Sequence, residues 1–148
     1  MIQITKASIE EIPILCNLLN LLFSQEVEFL PNKELQEKGL RTIIESDILG
    51  DIFIAQKDDE IIAMVNILYT YSTALGSNVA MLEDMVVEPK YRGENIGSEL
   101  LDYVMHYLKE NDFKRVTLLT DDDNLKAHKF YEQNDFEISS MITYRKTL

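Results

Sequence analysis

The chain has 148 residues, 46% of them hydrophobic and 27% charged, and its 26 acidic and 14 basic side chains give a formal net charge of -12. That length suits one domain, residues 1–148, with a real core, and the composition excludes disordered and fibrous classes. The acidity argues against nucleic-acid and anionic-membrane partners, which rest on clustered Lys and Arg; it favours a cationic partner, or simply keeps the protein soluble.

Cys16 is the only cysteine, which excludes an internal disulfide framework and fits a reducing compartment. The first residues lack a basic region followed by an apolar block and a cleavage site, and no apolar run approaches membrane-spanning length. A soluble cytoplasmic protein is expected.

Ile2 and Ile4 alternate with polar neighbours and predict a short first strand. Ser8 and Glu11 have capping-box spacing, with the regular helix expected from Pro13. Ile12, Leu15, Cys16, Leu19, Leu22 and Phe23 then form one apolar stripe, which makes Cys16 a buried structural thiol. Asn32 is placed to cap a second helix through about residue 45, with Leu35, Leu40, Ile43 and Ile44 inward and Gly39 weakening its middle.

Strands are expected over residues 51–55, 61–71 and 79–88, joined by polar turns into an antiparallel meander. Residues 89–98 form a loop rich in glycine and asparagine. A helix follows whose inner face is Ile96, Leu100, Leu101, Val104, Met105 and Leu108, leaving His106 on the solvent side. Residues 116–119 read as a short strand, paired in parallel by a right-handed crossover, so the sheet is expected to be mixed. Asn124 can cap a last helix to about residue 133, and the tail from Phe136 reads as one or two closing strands around Ser139 and Ser140.

The strand, loop and helix around residues 81–101 organise the chain. Gly93, Asn95 and Gly97 are residue types that reach positive φ, or allow close approach, most easily, so several N–H groups could face one concavity at a helix start. That arrangement suits an anion, although a plain strand-to-helix turn has the same composition. No Lys-Ser or Lys-Thr follows Gly97, which argues against a nucleotide-binding P-loop. One Cys and two His, with His106 and His128 far apart, give neither a metal-ligand pattern nor a Cys-His nucleophile pair.

Arg92-Gly93-Glu94-Asn95-Ile96-Gly97, preceded by Leu82-Glu83-Asp84-Met85-Val86-Val87-Glu88-Pro89 and followed by Asn124, Ala127, Phe130-Tyr131 and Phe136, resembles the GNAT superfamily of acetyl-CoA-dependent N-acetyltransferases. The chain departs from that pattern at Asn95, where the inner glycine usually stands, and at Asp135, where the family often has glycine. Asn tolerates left-handed geometry best among non-glycine residues, so the loop is expected to survive.

The resemblance implies a single α/β (α+β) domain with a central mixed, mostly antiparallel twisted sheet, flanked by about four helices and splayed between its fourth and fifth strands. It implies that the backbone of Arg92, Gly93, Glu94, Asn95, Ile96, Gly97 and Ser98 holds the diphosphate of coenzyme A. Met85, Val86 and Val87 would pair with the pantetheine arm, Asn124 would bond to it, and the N–H of Val86 or Val87 would polarise the thioester.

Glu83 is favoured over Asp84 as the base that takes the amine proton, and Tyr131 as the acid that protonates the thiolate. Alternation puts Glu83 and Asp84 on opposite faces unless a bulge intervenes. The implied activity is direct acetyl transfer from acetyl-CoA, without metal, to a primary amine on a small molecule or peptide. The alternative is an acyl-CoA sensor or interaction module of the same fold. A homodimer stays open.

Overall fold

The computed structural model of the chain describes residues 1–25 and 30–148. Its five strands are β1 (Gln3–Lys6), β2 (Gly50–Lys57), β3 (Glu60–Ser72), β4 (Ser77–Val87) and β5 (Val116–Leu118). They lie side by side in chain order in one sheet, antiparallel except for the parallel pair β4 and β5. The helices are α1 (Ile12–Phe23), α2 (Lys33–Ile44), α3 (Ile96–Glu110) and α4 (Leu125–Gln133). Among the described residues no helix is long and apolar enough to cross a membrane.

Two apolar clusters make three layers. On one face α3 buries Ile96, Leu100, Leu101, Val104 and Leu108 against Phe53, Val65, Ile67 and Leu82, and Phe130 and Tyr131 of α4 pack on the same cluster. On the other face Ile12, Leu15, Leu18 and Leu19 of α1, with Leu40 of α2, cover Ile52, Ile54, Met64 and Val86. Most of these positions are ones that helical periodicity predicts, because residues three and four apart share one helix face. Leu35, expected inward, is instead exposed in the first turn of α2, and Leu18 joins the buried face of α1.

Local chemistry sets the joints. The Glu11 carboxylate accepts from the backbone N–H and the hydroxyl of Ser8, closing a 3-10 turn before α1. Asn32 caps α2 by accepting the Leu35 N–H at 3.1 Å. Asp58 and Asp59 take φ values of 50° and 64°, as a tight two-residue hairpin between β2 and β3 requires. Gly50 has no room for a side chain: a Cβ there would lie 2.1 Å from the Ile67 carbonyl oxygen.

The closing strands expected in the tail do not form. From Phe136 onward no residue joins the sheet, and Ile138, Met141, Ile142 and Tyr144 stay exposed. Two physical reasons combine. β5 has only three residues with which to template a neighbour, and the Ser139 hydroxyl accepts the Met141 N–H at 3.1 Å, a local bond that competes with a strand ladder.

Candidate active site

β4 ends at Val87 and the chain turns through a 3-10 segment, Pro89–Tyr91, before α3. Gly93 and Asn95 both adopt left-handed backbone, with φ of 84° and 66°. Asn thus takes the geometry the missing glycine would have supplied. The first bond of α3 is from Glu99 N–H to the Asn95 carbonyl, at 3.1 Å. Among the described residues, the N–H groups of Gly93, Glu94, Asn95, Ile96, Gly97 and Ser98 meet no protein acceptor. Six main-chain donors at the positive end of a 15-residue helix form a seat for an anion.

Arg92 stands apart from this set. Its own N–H bonds the Pro89 carbonyl at 3.3 Å, while its Nε donates to the Val87 carbonyl at 3.0 Å and anchors the guanidinium at the strand end. Lys57 pairs with Glu94 at 2.7 Å, and Lys57 and Lys90 lie 5.3 and 4.9 Å from the centre of the Tyr91 ring. Lys90 also pairs with Glu60, at 2.8 Å, so both lysines beside the seat are matched by carboxylates. Gly97 lets α3 approach α4, since a Cβ there would lie 3.1 Å from the Phe130 ring.

β4 and β5 pair only from Ala80 to Leu82, so the next five residues of β4 have β3 on one edge and no strand on the other. The Glu88 N–H bonds the Ile62 carbonyl at 2.8 Å, and alternation then turns the N–H of Val86 toward β3 and those of Met85 and Val87 toward the open edge. Such an edge accepts an extended ligand as if it were a further strand.

Glu83 is the extra residue of a β-bulge: Asn66 lies opposite Asp84, and Ile67 opposite Leu82. Glu83 stays exposed at the start of the open edge. Partial burial, reinforced by the neighbouring Asp84 charge and opposed by Arg145, pushes its carboxyl upward. The bulge turns Asp84 to the α1–α2 side, where burial raises its pKa against a hydrogen bond from Asn66 Nδ2 at 3.0 Å.

Tyr131 lies on α4 between Phe130 and Phe136, at ring distances of 5.2 and 5.6 Å. Its hydroxyl has no hydrogen-bond partner among the described residues, and burial pushes its pKa up to about 12, so it holds its proton at neutral pH. Asp135, at φ 65°, closes α4: its N–H and that of Phe136 bond the carbonyls of Glu132 and Tyr131 at 3.2 and 3.0 Å. Asn124 caps α4 by accepting the Ala127 N–H at 3.2 Å, which leaves its amide nitrogen and a second lone pair of Oδ1 for a ligand.

Cys16 is 2% exposed, and burial raises its thiol pKa, as suits a structural thiol. No cluster of three or more His, Cys, Asp or Glu that could hold a metal occurs among the described residues. Sequence reasoning passed over Asn66. It is 5% exposed and the one polar side chain in the apolar run from Ile61 to Leu68, an interruption that could have marked it.

The model of the Acetyltransferase (GNAT) family matches residues 14–136. The uncharacterized N-acetyltransferase YhfO of Bacillus subtilis is 34% identical over 86 residues, 58% of this chain and 58% of that protein. The chain therefore spans little more than half the length of this relative. In fold, it is similar to a possible acetyltransferase from Clostridium difficile, with a TM-score of 0.90, 18% identity and coverage of 100% and 98% of the two chains. It is also similar to the aminoglycoside N-acetyltransferase AAC(6')-Iy in complex with CoA, with a TM-score of 0.83, 19% identity and coverage of 100% and 96%. With the open edge of β4, the anion seat at α3 and this match over most of its length, the chain belongs to the GNAT acetyltransferase family.

Proposed function

We propose that the protein transfers the acetyl group of acetyl-CoA to a primary amine by direct attack in a ternary complex. The observation that carries this reading is the set of six unpartnered N–H groups from Gly93 to Ser98, a seat shaped for a diphosphate. The open edge of β4 would take the pantetheine amides, with the outward N–H of Met85 or Val87 positioned to polarise a carbonyl oxygen.

The residues divide the proton traffic. A primary amine with a pKa of about 10.4 is mostly protonated at neutral pH and needs an acceptor for its proton. Glu83, upshifted yet open to solvent, takes that proton directly or through water. The amine nitrogen bonds the acetyl carbon, the carbon–sulfur bond breaks, and Tyr131 gives its proton to the departing sulfur. An amide and a free thiol are the products. Polyamines, aminoglycoside-like amines and Lys-bearing peptides all suit the chain's negative charge.

Calorimetric titration with CoA, followed by thiol release from acetyl-CoA against an amine panel, tests this reading. Binding with turnover supports it, binding without turnover favours the sensor, and absence of CoA binding removes it.

A further inference from the structure

On the side of the sheet opposite α3, a cavity of about 280 Å³ opens between α1, α2 and the strands β3 and β4. Leu19, Leu40 and Ile43 give it an apolar wall, and Asn66 and Asp84 lie at its sheet side. None of the described residues that line it is Lys, Arg or His.

Among the described residues two other polar side chains line it, and the amide oxygens of both are engaged. Asn32 caps α2, while Gln36 donates to the Cys16 carbonyl at 3.2 Å and to Asn20 Oδ1 at 2.9 Å and accepts the Asn32 N–H at 2.6 Å. Asn66 and Asp84 are different. Among the described residues, Asn66 Oδ1 is buried with no hydrogen-bond partner, and Asp84 receives only the Asn66 amide, on Oδ2. Beside the amide groups of Asn32, Gln36 and Asn66, the cavity therefore presents two unmet acceptors, Asn66 Oδ1 and the second oxygen of Asp84, on a largely apolar surface.

A ligand that satisfies this arrangement brings several N–H donors and a positive charge at one end and carbon elsewhere. Carboxylates would leave the acceptors unmet and add like charge. Polyamines would bring further ammonium groups against the apolar wall, which costs desolvation. The volume lies just under the roughly 300–1,000 Å³ of sites for drug-sized molecules, so the body is small. Gly39 fits the same picture. It stands at the cavity in the middle of α2, where glycine weakens a helix, yet a Cβ there would meet nothing within 4 Å.

We infer that this cavity is a recognition pocket for a primary ammonium on a small apolar body, held by Asp84 and Asn66 Oδ1. The inference rests on the acetyltransferase reading for its purpose, as the seat of the acceptor beside Glu83, but not for its chemistry. Burial raises the Asp84 carboxyl, and a bound ammonium would favour the charged form again.

Isothermal titration of the full chain without acetyl-CoA tests it, using 2-phenylethylamine, spermidine and 3-phenylpropionate. The amine is expected to bind, spermidine at least about tenfold more weakly, and the carboxylate not at all. Asp84→Asn should weaken 2-phenylethylamine by about tenfold or more. Gly39→Leu should do the same while its melting temperature holds or rises, which separates pocket filling from misfolding. Spermidine binding as tightly as the aromatic amine, or both variants keeping full affinity for that amine, overturns the inference. A CoA titration on the same samples keeps the two readings apart. If CoA binds and 2-phenylethylamine does not, the pocket is refuted and the acetyltransferase reading stands; if the amine binds and CoA does not, the reverse holds.

Discussion

The two sides of β4 recognise by opposite means. Toward α3 the donors are main-chain N–H groups presented by a loop with two left-handed residues, so almost any side chain could stand at Glu94 or Ser98 without changing them. Toward α1 and α2 the recognising atoms are side-chain acceptors, Asp84 and Asn66 Oδ1, in an apolar cavity. Main-chain recognition constrains backbone geometry and hence a few special residues. Side-chain recognition depends on individual positions, so one substitution at Asp84 or Asn66 changes what the α1–α2 side can hold.

The most severe break in the contrast comes from Gly97→Val. The new side chain enters the Phe130 ring, from which even a Cβ would be only 3.1 Å away, and Phe130 leans on Tyr131. Overpacking of this kind costs about 1–3 kcal/mol. CoA affinity should fall by about a hundredfold, roughly 2.7 kcal/mol, because the N–H groups of the first turn shift with the helix. An unchanged CoA titration would show that those N–H groups are not the seat.

Next in size are the residues proposed for proton transfer, read from pH profiles. Tyr131→Phe should lower kcat by about a hundredfold with little change in CoA affinity. Because Tyr131 stays protonated until the pH nears 12, the wild-type profile should show no alkaline decline from this group near neutrality. Glu83 works as a base only when ionised. With its pKa raised, kcat/KM should fall as pH drops through that raised value, and Glu83→Gln should remove this acid limb with a loss of about tenfold at neutral pH, since water can reach the same place. If the Gln variant keeps the acid limb, the base is another group, with Asp84 the first candidate.

Asp84→Asn sharpens the other side through stability. A carboxyl whose folded pKa is raised stabilises the fold fully below its unfolded pKa, and that contribution is lost as pH rises through the folded pKa. The Asn variant should therefore be more stable than wild type at pH 7, by about 1–3 kcal/mol, with the gap closing toward pH 4. A constant gap across pH would mean that the Asp84 charge is not the cause.

The smallest effects belong to backbone strain. Asn95→Gly and Asp135→Gly each release a non-glycine residue from left-handed geometry, at φ of 66° and 65°. Each should add up to about 1 kcal/mol, or a few degrees of melting temperature, with CoA affinity kept within about twofold. A fall in stability for either would place the side chain in a role beyond the turn.

Much of this architecture was legible in one dimension. Apolar spacing of 3.6 residues located the helices, alternation located β1, and Gly93, Asn95 and Gly97 marked the loop, because each of these signals is carried by neighbours in the chain. Three features were decided only in three dimensions. The bulge at Glu83 arises from register with β3, and it puts Asp84 on the α1–α2 side, where alternation from Leu82 would have put it on the α3 side. The tail residues carry strand-like composition, yet their fate depends on the length of the β5 edge they would have joined. The orphaned oxygen of Asn66 becomes a recognition element only when α1 and α2 fold over it and exclude water, since burial is a property of the whole assembly and not of any short stretch of sequence.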